Sequence, residues 1–458
     1  MNENQLRLPS GKIITFNEEQ FDGLKKIKHW LKNGETFFTL AGYAGTGKST
    51  VVKKVLDTYR YGIVVSAPTH KAKKVVINTT GEEGQTLHAL LGLRPDVDLD
   101  NFNPNNPKFN PIATPRIADY NFVVIDEASM IGHNMGNLLN MIAGLHDKIL
   151  ILVGDWAQAK PVKDGWPLRS DLFERIPTIK LEKNHRQDQD GYLRVLNHAR
   201  KGVITQEDAD TLAPCVSRVP PDDDRYIRMY ATNALVGDYN NQRIERHCRE
   251  ENQVPVSLKS TVYDMRNSEK KMKSPLTQGR VDNIITNSRL SCNDTFALGC
   301  RVMITQNSPY RAKDRYVNGD AGILDDIIFK SGRTMFEMGP ESDFSKEQID
   351  YLTIKLDRED YVDVPIHEAN QKNALGETEF TVYGFPVALG WAATIHKCQG
   401  TTVDRAWVDM QSIERMPEQG RHGLAYVAIS RVRTLEGLKL NGVNPHLFKC
   451  DTEIAHLV

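Results

Sequence analysis

Four short apolar runs in the first 180 residues constrain this chain most. "TFFTLAGYAG", "YGIVVSAPTH", "NFVVIDEAS" and "KILILVGDW" each carry a β-branched or aromatic core and then break into polar sequence. Strands buried on both faces read this way, because a parallel sheet covered by helices has no solvated face to alternate with. Helical stretches separate the runs. The pattern predicts an α/β fold with parallel strands and functional residues at their carboxyl ends. A Pro/Asn-rich stretch, 93–118, interrupts it and cannot be a helix; a hairpin or a long ordered loop both fit.

A second α/β pattern begins near residue 181. "YIRMYATN" reads as a strand and "ALVGDYNNQRIERHC" as a helix; the pattern resumes with "FPVALGWAATIHKCQGTT", "RAWVDM" and "GLAYVAISRVRTLEG". Between these lie "GCRVMITQN", "YVNGDAGILDDIIF", "GRTMFEM" and "DYLTIKL", whose alternation and glycines predict short antiparallel strands of a small barrel. The polar stretch 263–285 predicts a flexible segment. The expected division is a first domain over 1–180, a second over 181–250 and 385–458, and an insertion over 251–384. A length of 458 residues is consistent with several domains.

Lys+Arg and Asp+Glu number 58 and 59, which argues against a uniformly basic DNA-coating protein but leaves room for a local basic channel. Six cysteines are scattered with no CxxC pair, so neither a zinc module nor a disulfide framework is expected. "ILILV" is far short of a membrane span, and "MNENQLRLPS" has no apolar signal region. The expectation is a soluble, cytoplasmic protein with no membrane partner.

Gly-Tyr-Ala-Gly-Thr-Gly-Lys-Ser at 42–49 fits G-x-x-x-x-G-K-[ST] between a strand and a helix. In such a loop Gly42, Gly45 and Gly47 let backbone N–H groups turn around a β-phosphate, with Thr46 between them. Lys48 reaches the β/γ oxygens and Ser49 ligates Mg²⁺. The following helix points its positive end at the phosphates. Asp126 and Glu127 end the "VVIDE" strand. Asp126 is placed to hold Mg²⁺ through water, and Glu127 to activate water as general base. A paired base favours hydrolysis over transfer to a substrate hydroxyl. In "GDWAQ", Asp155 and Gln158 are candidates to sense the γ-phosphate; Asp155 also suits a simple turn cap.

Three features bear on what the hydrolysis drives. "SAPTHKAKKVV" (66–76) offers hydroxyls, His70 and three lysines to nucleic-acid phosphates, although a solvated helix face reads the same way. Arg186 in "EKNHRQ" and Arg431 in "AISRVR" are candidates to reach a γ-phosphate from another domain; singly, each reads as a surface ion pair. "GWAATIHKCQGTT" (390–402) brings together hydroxyls, His396 and Gly400, a set suited to phosphate and nucleic acid.

In order along the chain, "FNEEQ", "GYAGTGKST", "SAPTHKAKK", "QTLHALLG", "VVIDEAS", "GDWAQAKPV", "LEKNHRQ", "ATNALVGDYN", "VNGDAG", "ATIHKCQGTT" and "YVAISRVRT" resemble the superfamily 1B helicases of the RecD-like and compact, Dda-like kind. The resemblance covers almost the whole chain. It implies two RecA-like P-loop domains, a pin insertion in the first and an SH3-like β-barrel in the second. It implies ATP and Mg²⁺ as cofactors, Gln20 reading the adenine, and Thr50 touching phosphate or ribose. Gln158 would contact the γ-phosphate, and Arg186 and Arg431 would be the arginines across the cleft. Pro68, Thr69, His70, Thr86 and His88 would contact DNA from the first domain, and Thr394 and His396 from the second. Pro95 and Phe102, in the insertion, would be wedge residues. "GDWAQAKPV" departs from the family's "GDxxQLPPV": Ala159 and Lys160 replace Leu-Pro, which puts DNA contacts just after Gln158 in question.

The implied activity is ATP-dependent 5′-to-3′ translocation on single-stranded DNA with unwinding of duplex or fork DNA, in replication, recombination or repair. The implied setting is a bacterial or phage-infected cell. A monomeric motor is expected, with a single-strand-binding protein or replication proteins as candidate partners. A nucleic-acid-independent ATPase switch or loader, and an RNA-directed helicase, are the alternatives.

Overall fold

The computed structural model describes residues 4–7, 13–43, 46–58, 62–67, 84–92, 115–159, 176–183, 190–265, 276–293, 295–308, 316–338, 346–372, 378–399 and 403–451. It divides into two compact units, residues 1–231 with 394–458, and residues 232–393.

The first unit contains a six-stranded sheet, four strands of which are the apolar runs. Its strands are β1 (Phe37–Gly42), β2 (Ile63–Ala67), β3 (Gly84–Thr86), β4 (Phe122–Ile125), β5 (Ile149–Gly154) and β6 (Thr178–Leu181). Their order is β3-β2-β4-β5-β1-β6, and every neighbouring pair is parallel. Phe38, Leu40, Val65, Val124, Ile151 and Val153 are buried in one core with side chains of the flanking helices. Each such side chain contributes about 1.5–3 kcal/mol on burial.

Helix α1 (Glu18–Lys32) starts at a reciprocal cap: the Asn17 side chain accepts from Gln20 N, and Gln20 Oε1 accepts from Asn17 N. Gly23 lets α1 approach β6; a Cβ there would lie 3.1 Å from Ile179. Helix α2 (Lys48–Leu56) follows β1 and buries Val51, Val52, Val55 and Leu56. Helices α3 (Asp190–Arg200) and α4 (Gln206–Leu212) come next.

The same unit holds a second parallel α/β sheet. Strand β7 (Ile227–Tyr230) pairs with β8 (Ala406–Val408), and β8 pairs with β9 (Leu438–Leu440), all in parallel. Helix α5 (Leu424–Ile429) precedes β9 and is buried at every residue.

The second unit is antiparallel. Five strands pair in the order Tyr361–Pro365, Ile349–Leu356, Ala321–Phe329, Arg301–Ile304, Val387–Leu389. A three-stranded sheet runs Thr261–Asp264, Thr378–Gly384, His367–Lys372. Three local expectations are corrected. "GRTMFEM" is not a strand: Glu337 N and Thr334 Oγ1 bond at 3.2 Å and Glu337 Oε2 accepts from Thr334 N, a cap that starts the helix Met335–Met338. The polar 263–285 stretch contains the start of the helix Gln278–Ser288, whose Ile284 and Ile285 are buried with Phe380 and Val382. "FPVAL" does not continue the second α/β layer; Val387–Leu389 pairs instead with Arg301–Ile304 in the antiparallel sheet.

Candidate nucleotide-binding site

Backbone close-packing explains the glycines of the phosphate loop. A Cβ on Gly42 would lie 2.7 Å from both Leu181 O and Thr46 Oγ1. Gly47 has φ +82°, where an L side chain is strained, and its Cβ would meet Gln20 Nε2 at 2.3 Å. Gly47 also caps α2 without lending a side-chain oxygen to the helix N–H groups. Thr46 Oγ1 donates to Tyr43 O at 2.9 Å, and Lys48 Nζ donates to Gly42 O at 2.6 Å and Tyr43 O at 3.0 Å. Gln20 Nε2 donates to Thr46 O at 2.9 Å. The α1 cap therefore orients a side chain that holds the phosphate loop. Ser49 and Thr50 are half-buried in the first turn of α2. Gly45 lies outside the described residues.

Asp126 leaves the end of β4, where its N–H donates to Ser66 O at 2.8 Å. Its Oδ1 accepts from Glu127 N at 2.9 Å. Glu127 adopts a left-handed backbone, φ +50°, uncommon for a residue with a Cβ. Both carboxylates are half-buried. Burial raises the Asp126 carboxyl above its ordinary range, against the pull of Lys48 and its bond from Glu127 N. Burial, then the neighbouring Asp126 charge, pushes Glu127 up to about 7, while Lys48 and Arg431 act in the opposite direction.

Past β5, Asp155 is 1% exposed. Its Oδ1 accepts from Ala157 N at 3.2 Å, and its Oδ2 from Tyr426 OH at 2.6 Å. Gln158 is buried, with Nε2 at 3.4 Å from Asp155 Oδ2. Arg431 is 3% exposed, so the surface-ion-pair reading does not hold for it. Its Nε donates to Val427 O at 2.9 Å and its Nη2 to Ser430 Oγ at 2.7 Å. Its charge acts on Glu127, so the structure brings Lys48, Asp126, Glu127 and Arg431 into one electrostatic group.

The expected DNA contacts are only partly described. Pro68, Thr69, His70, Pro95, Phe102, Arg186 and Gly400 lie outside the described residues, as do Lys160 and residues 93–114 of the expected pin. Thr86 ends β3 in register with Ala67, the residue before Pro68. His88 is half-buried in the short helix Leu87–Leu90. Thr394 is 6% exposed, and its hydroxyl caps the following turn by accepting from Lys397 N at 3.3 Å. His396 is half-buried, and burial lowers its pKa. Sequence reasoning did not anticipate that Arg200, Tyr426 and Gly423 meet the Asp155–Gln158 loop. A Cβ on Gly423 would lie 2.6 Å from the Gln158 backbone, and no local pattern announces that approach.

A family model described as an AAA domain matches residues 15–213. The ATP-dependent DNA helicase Pif1 of Bdellovibrio bacteriovorus is 27% identical over 446 residues, covering 93% of this chain and 88% of that protein. The ATP-dependent DNA helicase dda of Enterobacteria phage T4 is 29% identical over 153 residues, 32% of this chain and 33% of that one. The Bacteroides Pif1 helicase in complex with ADP-AlF3 and ssDNA superposes with a TM-score of 0.65 at 21% identity, covering 97% of this chain and 96% of that chain; at this identity the likeness is one of fold. Fold and site together define a P-loop nucleoside triphosphatase built on RecA-like parallel sheets. Within that class, the chain is similar over nearly its whole length to ATP-dependent DNA helicases named Pif1. Among the described residues, no helix is long and apolar enough to cross a membrane.

Proposed function

We propose that this protein is an ATP-driven motor that moves 5′-to-3′ on single-stranded DNA and separates duplex or forked DNA. The observation that carries the reading is the placement of Glu127, left-handed at the end of β4 and bonded through its N–H to Asp126; burial also pushes its carboxyl up to about 7. A carboxylate with such a pKa suits general-base work near pH 7. Gln20 would meet the adenine end, with Gly45, Thr46, Gly47 and Thr50 around the phosphates and Gly400 on the far side. Ser49 and Asp126 offer a hydroxyl and a carboxylate, hard oxygen donors suited to Mg²⁺. That ion, when bound, would neutralise phosphate charge. Lys48 would hold the β/γ oxygens, Glu127 would take the proton of the attacking water, and Gln158, Arg186 and Arg431 would face the γ-phosphate.

The domain assignment belongs to the same reading, with Val387–Leu389 moved to the insertion: motor domains over 1–180 and over 181–250 with 390–458, and an SH3-like insertion within 251–389. Pro68, Thr69, His70, Thr86, His88, Thr394 and His396 would grip the strand, and Pro95 and Phe102 would serve as the wedge. Thr394 can keep its cap, in which its oxygen accepts from Lys397 N, while its O–H donates to a phosphate oxygen. Splitting one base pair costs about 1.4 kcal/mol on average, a modest load for one hydrolysis event. The test combines two measurements. ATP hydrolysis with and without single-stranded DNA or RNA is expected to respond to DNA. Displacement of 5′- and 3′-tailed duplexes is expected to favour the 5′ tail. A hydrolysis rate indifferent to DNA sinks the motor reading; preference for the 3′ tail reverses the polarity.

A further inference from the structure

A buried chain of side chains runs from the phosphate loop to the turn of Arg431. Tyr43, whose carbonyl accepts from Lys48, lies under the Arg200 guanidinium at 5.0 Å. Arg200 Nη2 faces Asp155 Oδ1 at 3.9 Å. Asp155 Oδ2 accepts from Tyr426 OH at 2.6 Å. Tyr426 sits on α5, and that helix carries Val427, whose carbonyl accepts from Arg431. Tyr43, Arg200, Asp155, Tyr426 and Arg431 are all at most 4% exposed. A second tether joins the same elements: the Tyr192 hydroxyl of α3 donates to Ile429 O at the end of α5. Gly423, at φ +73°, lets the start of α5 press on the Gln158 backbone.

We propose that Tyr426 and Arg200 are positioning residues, which lock the Arg431 turn to the Asp155–Gln158 loop and to the phosphate loop during ATP hydrolysis. A hydrogen bond to a buried carboxylate is among the stronger and more directional ones. Without the tyrosine hydroxyl, Asp155 loses a short donor, and the helix ahead of Arg431 is free to shift. Small displacements of a group that acts on a transition state cost rate more than binding. The inference rests on the proposed hydrolysis at this site.

Tyr426→Phe removes the hydroxyl and keeps the ring. With saturating single-stranded DNA, kcat is expected to fall about tenfold or more while KM for ATP changes by less than about twofold. In an Arg431→Lys background the same substitution is expected to lose most of its effect, because both changes act on one interaction. Arg200→Lys, which keeps the charge but not the guanidinium over the Tyr43 ring, is expected to show the same kcat-over-KM split more weakly. If wild-type hydrolysis ignores DNA, the proposed function fails. If wild type responds to DNA but Tyr426→Phe keeps its kcat, or its effect is undiminished in the Arg431→Lys background, the positioning role is overturned. A rise in KM equal to the fall in kcat overturns it too.

Discussion

Glu127 carries a backbone strain of about 1–3 kcal/mol and a carboxyl that resists ionisation, and these features share one cause. The end of β4 turns abruptly so that two acids face one site. The folded-state pKa of about 7 lies above the ordinary 4.5, so ionising Glu127 works against the fold as pH rises between those values. Activity runs the other way, since a base must be deprotonated. The kcat/KM for ATP is therefore expected to rise with pH through about 7, measured in steady-state hydrolysis. Glu127→Gln is expected to lose roughly 10²–10⁴-fold in kcat, to flatten that profile and still to bind ATP. It is also expected to melt higher than wild type at pH 8, and a lower melting temperature would argue against the burial argument. That Asp126 and Glu127 end a strand was legible in the sequence, because two carboxylates close an apolar run there. The left-handed turn was not legible, because it answers to packing around residues far along the chain.

Helix α1 links folding to the site at the scale of an element. Its Asn17 cap and Gln20 form a reciprocal pair, and Gln20 also holds Thr46 O. Asn17→Ala is expected to destabilise by about 1 kcal/mol. Losing the Asn17 side chain also frees the Gln20 turn, so KM for ATP is expected to rise while kcat at saturation is kept. Steady-state kinetics check this; a fall in kcat with KM fixed would separate the cap from the site. At the same scale, sequence reading recovered the six-stranded layer's main runs but misread "GRTMFEM". Glycine punctuation and alternation favour a strand, whereas the Thr334–Glu337 cap supplies the local bonds that start a helix. The helix Gln278–Ser288 was missed because its polar residues hide the apolar pair that meets Phe380 and Val382.

At the scale of the molecule, each unit has its own core. Residues 232–393 bury a cluster from Ile244 to Trp391, and the first unit buries its parallel sheet separately. Calorimetry is expected to resolve two unfolding transitions rather than one. A non-hydrolysable ATP analogue at about 100 times its Kd is expected to stabilise the transition of the phosphate-site unit by about 2.7 kcal/mol and to leave the other in place. A single transition that moves as a whole would show the units to be one cooperative block.

The amino-acid sequence by itself determined the parallel strands, the phosphate loop and the carboxylates at a strand end. Those features are local: apolar runs demand burial, glycines permit the tight turn, and a strand's carboxyl end exposes the next few residues of chain. Through a motif, it also made Arg431 a candidate to act at that site. Only the tertiary structure decided that Arg431 is buried and acts on Glu127, and that Tyr426 reaches Asp155 across 271 positions of chain. Partners so far apart in sequence leave no period or spacing to read, because their approach is set by how whole elements pack.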